Sequence, residues 1–140
     1  MVLVDSNVLI DIFTDDKTWA NWSEQALADA ASSDEILINP IIYAEISVAF
    51  KKAEPLDNAL KEIGINSVEL PFPAAFIAGK AFIKYRQKGG LKRSPLPDFY
   101  IGAHAQHAGL RLLTRDRSRY QTYFPEVELI APSNPDPQSK

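Results

Sequence analysis

Apolar residues along the chain alternate between short unbroken runs and stripes at helical spacing. Val2, Leu3 and Val4 form the first run. Val8, Leu9, Ile12 and Phe13 then recur at intervals of three and four, so a buried strand is predicted to feed a short helix over residues 7–13. Residues 18–31 place Trp19, Trp22, Ala26 and Ala30 on or near one helical stripe, with Thr18 where an N-cap is expected. A second run over 35–39 is closed by Pro40, which suits the first turn of a helix over 41–53. The middle of the chain predicts a helix over 55–63 stopped by Gly64, a strand over 67–70, and a longer helix over 73–88 ended by Gly89 and Gly90. A proline-bearing loop, 91–97, then delivers Asp98 to the first turn of a helix ending near Gly109. Strands over 111–114 and 127–130 flank a short helical turn over 117–124.

Strands that alternate with helices predict an α/β fold of three layers, a mostly parallel central sheet of four to five strands with helices on both faces. Residues 1–131 read as one domain and the Pro, Ser and Asn-rich stretch 132–140 as a flexible tail. A chain of 140 residues is long enough to bury a core without staples. The lack of any cysteine excludes disulfide frameworks, thiolate zinc sites and cysteine nucleophiles. No run approaches the roughly 18 consecutive apolar residues that span a bilayer, and the amino terminus enters a strand with no basic leader. The expectation is a soluble cytoplasmic protein with no membrane partner.

The net charge of −3 conceals an uneven distribution. Residues 80–119 hold ten of the fifteen Lys and Arg residues and only two of the eighteen acids, Asp98 and Asp116, so this stretch carries +8 and the remainder −11. A surface seeking only solubility intersperses both signs. A basic stretch that keeps two carboxylates suggests that those two are needed, and that a polyanion is met there.

Four acids occupy positions where a carboxylate is costly. Glu45 has Ile41, Ile42, Val48 and Ala49 at its helical neighbours, and Asp98 shares its stripe with Ile101, Gly102 and Ala105. Asp5 follows the first apolar run, and Asp116 follows Leu112, Leu113 and Thr114, which puts both beyond carboxyl ends of strands, where open α/β sheets bind ligands. Any one of them singly reads as a cap or turn residue. Together they describe a cluster that cannot stay ionised without a cation, and all-oxygen ligands without His or Cys select Mg²⁺ or Mn²⁺. Such an ion suits phosphodiester hydrolysis.

Four segments carry a family resemblance: VLVDSNVLID at 2–11, NPIIYAEI at 39–46, SPLPDFYIGAHAQHAGL at 94–110 and LLTRDRSRYQTYFPEVELIAP at 112–132. In this order they resemble the PIN-domain ribonucleases, most closely the VapC-type toxins of toxin–antitoxin pairs. The resemblance implies that Asp5, Glu45, Asp98 and Asp116 form the catalytic, metal-binding set, with Asn7 or Thr114 as supporting polar residues. It also implies Mg²⁺ or Mn²⁺ dependence, cleavage of structured RNA such as tRNA, a homodimer, and a cognate antitoxin that inhibits by covering or filling the acidic site.

Lys92, Arg93, Arg115, Arg117 and Arg119 flank the two late acids and are candidates for phosphate contacts that would make binding salt-dependent. His104 and His107 point away from the Asp98 stripe and read as surface or packing residues, and Asp11 reads as an exposed helix acid. Ser6 lacks the nearby base that a serine nucleophile needs. Trp19, Trp22, Tyr43 and Phe50 read as core or dimer contacts. The competing functions are a Mg²⁺-dependent phosphatase, which also uses acids on a parallel sheet, and a non-catalytic RNA-binding module of the same fold. Against the phosphatase, Asp5-Ser6-Asn7 lacks a second acid two residues on, and no lysine sits at a late strand end.

Overall fold

Two apolar triplets and the pair Leu112–Leu113 build the centre of the sheet. A computed structural model describes residues 1–90 and 96–133. In it β1 (Val2–Val4), β2 (Ile36–Ile38) and β4 (Arg111–Leu113) are joined by β3 (Ile65–Ser67) and β5 (Leu129–Ile130). All five strands are parallel, in the order β3-β2-β1-β4-β5. β1 lies between β2 and β4, with Val2 opposite both Ile36 and Arg111. Every residue of β1 and β2 is buried, although successive side chains point to opposite faces, so both faces are covered. The chain winds one way from β1 to β3 and the other way from β3 to β5. Right-handed crossovers then place the helices on both sides, and the strand order reverses between β1 and β4.

The helices are α1 (Ser6–Phe13), α2 (Ala20–Ala31), α3 (Pro40–Ile46), α4 (Ala53–Ile63), α5 (Phe72–Gln87), α6 (Leu96–Ala108) and α7 (Arg117–Tyr123). Short polar side chains start three of them. Asp5 caps α1, Asn39 accepts from the Ile42 N–H at 2.9 Å to cap α3 behind Pro40, and Asp116 caps α7. Thr18 does not cap α2. The Asp16 carboxylate instead accepts from the Thr18 and Trp19 N–H groups, and the helix begins at Ala20.

Three other boundaries differ from expectation. The helix predicted over 41–53 ends as an α-helix at Ile46 and tightens into a 3₁₀ turn over Ser47–Ala49, where the Ser47 hydroxyl donates to the Ala44 carbonyl at 2.6 Å. That local bond competes with helix continuation. The third strand falls earlier than 67–70 because Gly64 closes α4 in the left-handed region, φ 88°, and lets Ile65 enter the sheet at once. Val127 and Glu128 lie outside the last strand.

α5 and α6 pack through a ring cluster, with Phe99 at 5.6 Å from Tyr85 and 5.1 Å from Tyr123 between ring centres. Gly102 on α6 faces Phe124 so closely that a Cβ there would sit 2.4 Å from its ring. This packing seats the first turn of α6 beside the carboxyl ends of the strands. The loop predicted over 91–97 lies mostly outside the described residues, and so does the tail from 134.

Candidate active site

Asp5 leaves β1 at the point where the strand order reverses, and its carboxylate turns back to cap α1. It is 2% exposed. Oδ1 accepts from the Ser6 N–H at 2.8 Å, and Oδ2 accepts from the Thr114 hydroxyl at 2.8 Å and the Tyr120 hydroxyl at 3.0 Å. Asn7 Nδ2 adds a longer contact at 3.4 Å. All of these donors are neutral. Burial therefore pushes the Asp5 carboxyl up from its ordinary 3.8 to about 7; the charge of Asp98 adds to the rise and that of Glu45 adds less, while Thr114 and Tyr120 oppose it.

Glu45 reaches the same place from the last turn of α3. Its carboxylate accepts from the Ser6 hydroxyl at 2.7 Å, which makes Ser6 a bridge between two acids. Asp98 arrives from the first turn of α6 and accepts from Arg119 Nη1 at 2.6 Å. Burial raises the carboxyls of both, with Ser6 opposing at Glu45 and Arg119 opposing at Asp98. One oxygen from each of Asp5, Glu45 and Asp98 lies within 4.8 Å of the others. Asp116 stands beside this trio but outside that distance. It caps α7, with the Arg119 N–H at 3.4 Å, and its own N–H donates to Thr114 Oγ1 at 3.0 Å.

Three carboxylates so close, one of them buried among neutral donors and one paired to a single guanidinium, are short of positive charge. The donor set is all oxygen, which fits a hard divalent cation. Asp5, Glu45 and Asp98 are the residues that could hold it.

The sequence profile of the PIN domain matches residues 2–125. The chain belongs to the PIN domain family. PIN domains are generally nucleases. Sequence comparison with curated proteins found no match. Several solved structures share the fold. VapBC2 from Rickettsia felis, bound to a DNA fragment from their promoter, has TM-score 0.71 and 20% identity, covering 95% of this chain and 100% of that one. A toxin–antitoxin complex from Klebsiella pneumoniae has TM-score 0.67 and 26% identity, covering 96% and 98%. FitAcB from Neisseria gonorrhoeae has TM-score 0.63 and 20% identity, covering 96% and 98%.

Around the acids, hydrogen bonds of this PIN domain run through Thr114 and Asn7. Thr114 is buried and its hydroxyl links Asp5 to the Asp116 backbone, while Asn7 Oδ1 accepts from the Arg115 N–H at 3.3 Å. The basic candidates already have partners within the fold. Arg115 pairs with Asp11, Arg117 donates to the Ala131 carbonyl at 2.9 Å, and Arg119 pairs with Asp98. Lys92 and Arg93 lie outside the described residues. Asp11, read as exposed, is in fact 2% exposed, because Arg115 and the Ser23 hydroxyl neutralise and satisfy it in the interior. His104 is a packing residue. Asn39 spends its oxygen on capping α3, so its amide N–H₂ faces His104 Nδ1 at 3.0 Å and that nitrogen accepts.

Two participants escaped the sequence reading, Tyr120 and the hydroxyl of Ser6. Ser6 acts here as a hydrogen-bond donor to Asp5 and Glu45. Tyr120 lies one helical turn beyond Asp116, and that spacing was the signal available for it. Burial raises its phenol well above the ordinary value, with Asp5 and Asp98 adding, so it stays a protonated donor.

Proposed function

We propose that this PIN domain is a metal-dependent endoribonuclease, the toxin of a VapC-type toxin–antitoxin pair. The observation that carries the reading is the convergence of Asp5, Glu45 and Asp98 within 4.8 Å at the reversal of the sheet. Mg²⁺ or Mn²⁺ is the ion suited to these ligands, and when bound it supplies polarisation of the phosphodiester and activation of water. The chain's own residues fix the ligands. Ser6, Thr114 and Tyr120 orient the Asp5 carboxylate, Ser6 also holds Glu45, and Arg119 offsets the charge of Asp98. Asp116 flanks the cluster and completes the four-acid set proposed from sequence.

The partners follow the same reading. That several structures of similar fold are toxin–antitoxin complexes, one at 26% identity, supports a cognate antitoxin. α5 leaves Phe72, Phe76 and Ile83 exposed at 93%, 69% and 49%, which supports burial against a second copy of the chain. Structured RNA, tRNA among it, is the proposed substrate, and the basic stretch 80–119 supports a polyanion. Among the described residues no helix is long and apolar enough to cross a membrane.

The purified protein with Mg²⁺ is expected to cleave RNA and to stop when the ion is chelated. Asp98→Asn is expected to lose at least roughly a hundredfold in rate while keeping its circular dichroism and, with a chelator present, its melting profile. Equal cleavage by the variant would remove Asp98 from the site. Activity on a small phosphate ester but none on RNA would replace the nuclease by the phosphatase.

A further inference from the structure

Asp11 is a buried acid that the cluster does not use. Its two oxygens meet the guanidinium of Arg115 as a fork, Nε to Oδ2 at 2.7 Å and Nη2 to Oδ1 at 3.0 Å, and Oδ2 also accepts from the Ser23 hydroxyl of α2 at 2.8 Å. The guanidinium lies 4.9 Å from the ring of Trp19. A planar group held by a bidentate carboxylate and an aromatic ring is fixed in position and in rotation. Arg115 is the middle residue of the connection between β4 and α7. On one side Thr114 donates to Asp5; on the other Asp116 caps α7 beside the acids; and the Arg115 N–H itself donates to Asn7.

We propose that the Asp11–Arg115 pair is a positioning clamp that sets where Thr114 and Asp116 present their side chains to the acid cluster. A buried ion pair contributes little net stability compared with apolar residues of the same volume, so what this one supplies is geometry. Arg115 acts through its neighbours and is not a phosphate ligand. The catalytic consequence rests on the nuclease reading above; the clamp itself does not.

Arg115→Lys, Asp11→Asn and the double variant separate the alternatives. Lysine keeps a cation against Asp11 and against any RNA phosphate but loses the fork. Each single variant is expected to lower kcat by roughly 10–100-fold, the scale on which a misplacement of about 1 Å acts. KM and its salt dependence should hold, and the double variant should be no worse than the poorer single one. Amide exchange at residues 114–116 should quicken by at least about tenfold in each, with the central strands unchanged. If Arg115→Lys keeps full kcat and native exchange there, the clamp is overturned. A raised KM for Arg115→Lys with Asp11→Asn indistinguishable from the native protein would make Arg115 a phosphate contact instead. Should the native protein cleave no RNA, the nuclease reading fails and the exchange measurement alone decides the clamp. Should Asp11→Asn not fold, Arg115→Lys decides it.

Discussion

Asp5 gathers hydrogen bonds from Ser6, Thr114 and Tyr120 and receives no cation from the fold itself. A carboxylate in that position costs stability that a bound ion would recover. Asp5→Asn keeps an oxygen for the Ser6 N–H and turns an amide toward two hydroxyls that can rotate to accept. In the presence of a chelator we expect the variant to melt a few degrees above the native protein while cleaving no RNA; a lower melting temperature would show that the charge is already compensated. His104 gives a pH prediction away from the acids. Burial lowers its proton affinity, with His107 adding to the effect. Below the ordinary histidine pKa of about 6.5 the unfolded chain takes up a proton that the folded chain refuses, so stability falls as pH falls through that range. His104→Gln keeps an acceptor for Asn39 and does not titrate. From about pH 7.5 to about pH 5.5 the variant's melting temperature should gain on the native one, and a constant difference would refute the shift. Glu45 was legible through Ile41 and Ile42, which do lie on its helix, but Val48 and Ala49 fall beyond the end of α3 and are exposed. The burial of Asp11 was not legible, because Arg115 stands 104 residues away, and Tyr120, 115 residues from Asp5, offered only its spacing from Asp116.

At the scale of elements, short apolar runs gave away β1, β2 and β4, and Pro40 gave the start of α3. Asp5, Asn39 and Asp116 each cap a helix, and two of the three also belong to the proposed site, so one residue serves local structure and chemistry together. What sequence obscured was competition between near-equal local options: Asp16 against Thr18 at the start of α2, and Ser47 bonding back to Ala44 at the end of α3. α6 carries Asp98 on a helix that has to be small where Gly102 meets Phe124. The Gly102 Cα faces the Phe124 ring, itself 1% exposed and wedged among other rings. Gly102→Ala is therefore expected to cost about 1–3 kcal/mol by overpacking, measured by urea unfolding, and to weaken cleavage by tilting the first turn of α6. An unchanged midpoint would mean that Phe124 swings away freely.

The whole molecule brings its acids from opposite halves of the chain, Asp5 and Glu45 before residue 90 and Asp98 and Asp116 after it. An ion held among them bridges those halves and should stabilise the fold as a unit. At about 100 times its dissociation constant, Mn²⁺ is expected to add about 2.7 kcal/mol, seen as a rise in melting temperature that Asp98→Asn lacks. No rise in the native protein would favour a non-catalytic module. The sheet order has a temporal consequence. β1 is synthesised well before its sheet neighbour β4, yet the two pair Val2 with Arg111. Until that late strand emerges, Asp5 lacks both Thr114 and Tyr120, and Asp116 does not exist. The acid cluster therefore cannot assemble until β4 and the residues that follow it have been made, and until then the chain has no complete site to hold an ion.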